Sequence, residues 1–143
     1  VVRTSTPYGI AGGGKKFVNT AIEKLSRGEP VSAFSDFVRS PTLVEEVAEN
    51  FHLLLKKDFS GVINMAGDSQ ISMYDAALEI ASAFGYDRSL VRKSSGQSFG
   101  FAAKRPPSTG LDISLAKSLG IRMGSFKSGL ARLKRAGIHS QAK

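Results

Sequence analysis

The alternation of short apolar runs with amphipathic stretches is the feature that most restricts the fold of this chain. The run GVINMAG (61–67) is bounded by glycines, which is typical of a buried strand. One strand-like run covers residues 1–8 at the start of the sequence, and another is SAFSD (32–36). The full order is strand, helix, strand, helix, strand, helix, loop, helix, helix. This order predicts an α/β architecture with parallel strands.

Start and stop signals mark most of the helices. The first is predicted from Phe17 to Gly28, where the chain can adopt a left-handed turn. A later helix is capped by Ser72 and ends at Gly85. Two more are expected over 112–120 and 125–137. The stretch 94–110 is rich in Gly, Ser and Pro, and we expect an irregular loop there.

The helix predicted after residue 40 has two alternative starts. Ser40 can cap it with Pro41 at the first helical position, or Thr42 can cap it with Glu45 three residues later. Its periodicity predicts a wide buried face formed by Leu43, Val44, Val47, Phe51, Leu54 and Leu55. The acidic residues Glu45, Glu46 and Glu49 are then expected on the solvated face.

The charge of the chain is concentrated near one end. The net charge of the 143 residues is +8, and residues 101–143 have Asp112 as their single acid. This bias suits an anionic ligand or partner, but for Lys127, Arg132, Lys134 and Arg135 a solvated helix face is the favoured explanation. Phe126 is the one aromatic residue after Phe101, which disfavours nucleic acid as a partner.

Composition excludes several classes of site. The chain has no cysteine, and His52 and His139 are far apart, so we expect no metal site. No apolar run reaches the roughly 18 residues that cross a bilayer, so we expect no membrane partner. These features together predict a cytoplasmic protein.

A glycine-rich segment raises two nucleotide hypotheses. Gly9 to Lys15 has the spacing G-x-x-x-x-G-K of a phosphate loop, and Asp36 follows Gly14 by about the interval at which dinucleotide-binding units place a ribose-binding acid. However, Lys16 replaces the hydroxyl that would hold magnesium, and VVRTSTPY becomes polar after two residues. Neither hypothesis is favoured, and Asp36 is equally explained as a turn residue at the end of a strand.

Several blocks, in order, resemble the C-terminal part of dTDP-4-dehydrorhamnose reductases, which are extended short-chain dehydrogenases/reductases. The family pattern R-T-S-W-V-Y-G corresponds to RTSTPYG (3–9), and N-F-V-K-T corresponds to KFVNT (16–20). D-Q-x-G-S-P-T corresponds to DFVRSPT (36–42), and G-x-Y-H-x-x-G to GVINMAG. R-P-x-x-S-x-L-D with a later L-G-I corresponds to RPPSTGLD (105–112) and LGI (119–121).

The resemblance implies the C-terminal part of a Rossmann-like protein that binds NADP or NAD. Residues 1–10 and 31–67 would supply sheet strands and a returning helix, and 15–28 and 68–143 would mainly form a small substrate-binding lobe. The cofactor would be bound mainly by an N-terminal half that precedes this chain. No Tyr in the chain is followed by Lys four positions later, so we expect no catalytic residue and an inactive fragment.

The resemblance also implies particular binding residues for a sugar-nucleotide substrate. Thr4, Ser5 and Thr6 would approach the cofactor. Phe17, Lys104 and Arg105 would contact the substrate, and the Arg105 guanidinium is the group expected near the diphosphate because it can pair with two phosphate oxygens. For Arg105, a pairing that only fixes its own loop remains the alternative.

The sequence departs from the family pattern at several positions. Thr6 and Pro7 replace Trp and Val, Phe37 replaces Gln, and Arg39 replaces Gly. Loss of an aromatic surface and gain of a cation predict a different sugar from the rhamnose precursor. The alternative function is a non-catalytic NADP-binding subunit of the same fold, like the regulatory β subunit of methionine adenosyltransferase. A homodimer or a complex with a partner enzyme is compatible with both the reductase function and the non-catalytic function.

Overall fold

The computed structural model describes residues 1–10, 16–101 and 105–137. Its helices are α1 (Phe17–Ser26), α2 (Val44–Leu55), α3 (Met73–Phe84), α4 (Ser114–Ser118) and α5 (Phe126–Arg135). Its strands are β1 (Val2–Arg3), β2 (Pro7–Tyr8), β3 (Val31–Phe34), β4 (Val38–Arg39), β5 (Thr42–Leu43), β6 (Ile63–Asn64), β7 (Ile71–Ser72) and β8 (Val91–Ser94). Short 3₁₀ turns cover Arg88–Leu90 and Gln97–Phe99.

Within the described residues, the strands form four pairs, and three of these pairs are parallel. β1 pairs with β6, β2 with β5, and β3 with β8 in parallel, whereas β4 and β7 are antiparallel. The predicted α/β class with parallel strands is therefore confirmed. The sequence prediction missed β8, which extends the ordered structure to Ser94, and it did not anticipate the antiparallel pair.

Most predicted helix ends are confirmed. The Ser72 hydroxyl accepts a hydrogen bond from the backbone N–H of Asp75 at 3.0 Å, and Ser125 caps α5 in the same way. Gly85 ends α3 with a φ of 76°, in the left-handed region that glycine tolerates best.

The predicted start of α2 is wrong, and its predicted buried face is only partly confirmed: Leu43 is buried and Val47 and Leu54 pack against buried apolar side chains, but other members of that face are exposed. The helix begins at Val44, and neither Ser40 nor Thr42 caps it, because Thr42 lies in β5 and its hydroxyl bonds other segments. The side chains of Phe51 and Leu55 are 43% and 71% exposed. Glu46, which the sequence placed in solvent, is instead buried.

The buried Glu46 carboxylate is compensated by distant segments. It accepts a hydrogen bond from the Gly124 backbone N–H at 2.8 Å and lies 3.7 Å from the Arg132 guanidinium. Arg132 also forms a two-bond ion pair with Glu49, and this pairing lowers the pKa of Glu49. These contacts join α2 to α5, so Arg132 is not one of the freely solvated basic residues.

The buried apolar side chains form two clusters. The first cluster contains residues of α1, α3 and α5, with Tyr8 of β2 and Phe126 in edge-to-face contact at 5.5 Å between ring centroids. The second cluster lies around β6 and α4 and includes Ile63, Met65 and Ile121. β1 contributes Val2 to the second cluster, so the first eight residues contact both.

Candidate functional site

The segment Thr4–Thr6 lies at the carboxyl end of β1, between β1 and β2. Ligands of open parallel α/β sheets bind at this end of the strands. Thr6 has a φ of 43°, which is rare for a β-branched residue and is typical of backbone that its surroundings hold in place. The Ser5 hydroxyl lies 3.4 Å from the Thr6 hydroxyl, so this turn presents adjacent polar groups.

The Thr42 hydroxyl holds this turn in position. Thr42 is fully buried, and its Oγ1 lies 2.7 Å from the Ser5 carbonyl oxygen and accepts from the Gly67 backbone N–H at 3.1 Å. The Thr42 backbone N–H donates to the Thr6 carbonyl at 3.1 Å. One threonine therefore connects β5, the turn and the segment that follows β6.

The segment 105–112 runs beside β4 and approaches the same turn. Val38 donates its backbone N–H to the Pro107 carbonyl at 2.8 Å, and Thr109 donates to the Val38 carbonyl at 3.1 Å. The Ser5 hydroxyl lies 3.5 Å from the Thr109 carbonyl. The structure thus brings the predicted cofactor residue Ser5 next to the segment that begins with Arg105.

Four phenylalanines from two distant parts of the chain form a cluster near Arg105. Phe34 contacts Phe37, Phe99 and Phe101 edge to face, with ring centroids 5.4 to 5.8 Å apart. The rings of Phe37 and Phe101 are nearly parallel, with an interplanar angle of 22° and centroids 6.0 Å apart. Each of these rings offers a flat apolar surface.

Two arginines lie over these rings. The Arg105 guanidinium is 4.3 Å from the centroid of Phe101, and that of Arg39 is 5.0 Å from the centroid of Phe37, both within cation–π range. Burial, followed by the nearby Arg105 charge, lowers the pKa of Arg39, which still remains a cation at neutral pH. Among the described residues, no carboxylate forms an ion pair with either guanidinium.

A cavity of about 520 Å³ lies beside the phenylalanines and Arg105. Its walls are formed by Phe37, Gly96, Gln97, Gly100, Phe101, Arg105 and Pro107. An aromatic wall with a cation at its edge is suited to a ligand that has both a flat ring and an anionic group.

The carboxylate of Asp36 lies behind one wall of this cavity. It accepts hydrogen bonds from the Ser95 hydroxyl at 2.6 Å and from the backbone N–H groups of Gly96 and Gln97 at 2.8 and 3.2 Å. The bond from Ser95, followed by that from Gly96, lowers the pKa of Asp36 from 3.8 to about 2. All of these partners belong to the protein, and the carboxylate serves as an anchor for residues 95–97.

The remaining predicted substrate residues lie elsewhere. Phe17 is half-buried at the start of α1 and lines a separate groove of about 770 Å³ with Lys24, Val31 and neighbouring residues. Lys104 is outside the described residues. The structure therefore brings Ser5 and the Arg105 segment together and places Phe17 at a different surface.

Candidate metal ligands do not converge in the part of the chain that the structure describes, since it contains no cluster of three or more His, Asp or Glu side chains arranged to hold a metal ion. Within the same residues, none of the helices has the length and apolar character needed to cross a membrane.

Comparison with known proteins identifies the family. A family model described as the RmlD substrate binding domain matches residues 1–137. The chain belongs to this family. No match was found among curated protein sequences. The family assignment confirms the resemblance to dTDP-4-dehydrorhamnose reductases and the Rossmann-like extended dehydrogenase/reductase fold class.

Solved structures of RmlD-type reductases superimpose on nearly the whole chain. A dTDP-4-dehydrorhamnose reductase from Bacillus anthracis, in complex with NADP, has a TM-score of 0.82 and 28% identity over 94% of this chain and 47% of its own. A reductase ortholog from Clostridium acetobutylicum has a TM-score of 0.80 and 25% identity over the same shares. The reductase from Yersinia enterocolitica, at 23% identity and a TM-score of 0.77, supports the fold. This RmlD-family chain spans about half the length of these relatives.

The aromatic wall and its anchor are not evident from the sequence motifs. Phe37 and Arg39 depart from the family pattern, but nothing in that pattern links Phe101 to them. The usable signal was the recurrence of closely spaced phenylalanines at 34 and 37 and again at 99 and 101, at the ends of two segments that prove to pair as β3 and β8.

Proposed function

We propose that this RmlD-family domain binds a sugar nucleotide in the cavity beside Phe37, Phe101 and Arg105, as the substrate-binding part of an NAD(P)-dependent reductase. The observation that carries the proposal is the Arg105 guanidinium, which lies over an aromatic ring at the edge of the cavity with no acidic partner among the described residues. A nucleotide base would contact the rings, and the diphosphate would pair with Arg105.

The proposed cofactor contact is the Thr4–Thr6 turn. Its hydroxyls and its position at the carboxyl end of β1 fit the edge of a nicotinamide site, and the NADP-bound Bacillus anthracis relative is consistent with this role. A bound NADP or NAD would supply the hydride, and most of its contacts would come from residues outside this chain. We therefore expect the 143 residues alone to bind nucleotide but to show no NADPH oxidation.

Binding of dTDP to the 143-residue chain, followed by isothermal titration calorimetry, tests the proposal. Arg105→Ala should weaken binding by about 1.5 to 3 kcal/mol, because it removes a hydrogen bond between charged groups. Arg122→Ala is the matched control, since this exposed arginine lies near α4 and away from the cavity walls. Equal affinity of both variants and the wild type would remove Arg105 from the site, and no binding by the wild type would refute nucleotide recognition.

The reductase activity requires a separate measurement. A longer protein that joins this chain to a cofactor-binding half should oxidise NADPH in the presence of a 4-keto sugar nucleotide. If such a protein binds dTDP and NADPH but turns over no substrate from a panel of 4-keto sugar nucleotides, a non-catalytic binding role is the better description. The absence of Tyr-x-x-x-Lys from these 143 residues makes the added half necessary for the comparison.

A further inference from the structure

The Asp36 side chain is one of the groups that attach the segment carrying Phe99 and Phe101 to the end of β3, beside the ring of Phe34 and the Ser35 backbone N–H, which donates to the Ser94 carbonyl at 3.0 Å. Asp36 follows β3, and its carboxylate accepts three hydrogen bonds from consecutive residues 95–97. β3 and β8 pair in parallel up to Phe34 and Ser94, so this carboxylate continues the connection beyond the last paired residues. Asp36 does not line the cavity, but two of its hydrogen-bond partners, Gly96 and Gln97, do.

The anchored segment is packed tightly against the aromatic wall. Gly96 is buried, and a Cβ atom added to it would lie 2.6 Å from two carbons of the Phe37 ring. The backbone at Gly96 is therefore in direct contact with the Phe37 ring. Gln97, Gly100 and Phe101 follow along the cavity, so a shift of the anchored backbone would move that wall.

We propose that Asp36 is a positioning residue, whose carboxylate fixes residues 95–97 against Phe37 and thereby sets the placement of Phe101 and its contact with Arg105. The geometry is independent of the ligand, whereas the effect on nucleotide affinity rests on the proposed function. Asp36 thus acts on the nucleotide through the aromatic wall, without contacting it.

The substitution Asp36→Asn tests this role because it keeps the shape of the side chain. Asn keeps one accepting oxygen, but its amide nitrogen is a donor, so one of the backbone N–H groups of Gly96 and Gln97 loses its acceptor. We expect dTDP affinity to fall roughly tenfold, in line with the loss of charged hydrogen bonds. The matched control is Asp87→Asn, since Asp87 accepts two bonds of 2.8 Å from Ser89 at the other end of β8.

A tryptophan reporter measures the position of the segment without any ligand. The chain contains no tryptophan, and Phe99 is 64% exposed and lies 4.9 Å from Phe101 between ring centroids. In a Phe99→Trp background, Asp36→Asn should shift the emission to longer wavelength and increase quenching by acrylamide. Asp87→Asn in the same background should leave both unchanged, and the unfolding midpoints confirm that each variant is folded at the temperature of measurement.

The two measurements separate the possible failures. Unchanged emission after Asp36→Asn overturns the positioning role, whatever the ligand. Shifted emission with unchanged dTDP affinity also overturns it, because the segment would then move without affecting the site. Shifted emission with weaker binding supports the role. If Asp36→Asn shifts the emission but the wild type does not bind dTDP, the anchoring role is supported and the proposed ligand is refuted.

Discussion

At the scale of single residues, Gly129 is placed where no side chain fits. A Cβ atom at this position would overlap the hydroxyl of the buried Tyr8. Alanine is normally favoured over glycine inside a helix by about 1 kcal/mol. Here the overlap should dominate, and we expect Gly129→Ala to lower the free energy of unfolding by about 1 to 3 kcal/mol, measured by urea denaturation.

The control for Gly129→Ala is the double variant with Tyr8→Phe. Removal of the hydroxyl creates room for the added methyl group, so the double variant should be more stable than Gly129→Ala alone. If the two changes are simply additive, the hydroxyl is not the cause of the loss. This cycle isolates one contact between β2 and α5.

The low pKa of Asp36 predicts how its contribution to stability depends on pH. The pKa falls from 3.8 to about 2 on folding, so the contribution is present above 3.8 and is lost as the pH falls through about 2. The difference in unfolding temperature between the wild type and Asp36→Asn should therefore shrink between about pH 5 and about pH 2. A difference that stays constant over this range would contradict the ionised carboxylate as its source.

At the scale of elements, the hydroxyl of Thr42 links three segments. We expect Thr42→Val to destabilise the fold by about 1 to 3 kcal/mol, because the buried Gly67 N–H and Ser5 carbonyl lose this partner. Thr42→Ser keeps the hydroxyl and is the matched control. Chemical denaturation of both variants compares the loss of the hydroxyl with the loss of the methyl group. Equal destabilisation of the two variants would show that the hydrogen bonds are not the main cause of the loss in unfolding free energy.

Local patterns predicted which segments are helical better than how each helix is oriented. Ser72 and Ser125 cap helices because their partners lie three residues away in sequence. Ser40 and Thr42 offer the same local signal, but the Thr42 hydroxyl contacts Ser5 and Gly67, which are distant in sequence, as well as the nearby Ser40 carbonyl at 2.9 Å. Such distant contacts leave no trace in a short window, and tertiary context therefore overrode the capping pattern.

The same reason explains β8 and the aromatic wall. The strand Val91–Ser94 contains one apolar residue, and its pairing with β3 is what makes it a strand. The fold class followed from alternation along the chain, and the family from ordered motifs. The candidate site was only partly predictable: the motifs single out Arg105, whose role stays a prediction, whereas the approach of Phe37 to Phe101 requires a contact between residues 64 positions apart in sequence.

At the scale of the whole molecule, α2 presents an apolar surface to solvent. Phe51 and Leu55 are one helical turn apart and are 43% and 71% exposed. We expect the isolated chain to self-associate at high concentration, and Phe51→Ser with Leu55→Ser to reduce this association in analytical ultracentrifugation. Leu115→Ser is the control, because Leu115 is 46% exposed on α4. Equal association of all three proteins would exclude this surface of α2.

The passage of the chain between its two apolar clusters has a mechanical consequence. Val2 packs against the cluster around β6, and Tyr8 lies inside the cluster around α3. Thr4, Ser5 and Thr6 alone separate β1 from β2. The turn that presents the Ser5 and Thr6 hydroxyls is therefore tied at both ends to buried apolar side chains, and one of its residues has a left-handed backbone. A substitution that loosens either cluster should displace these hydroxyls, although it lies outside the turn.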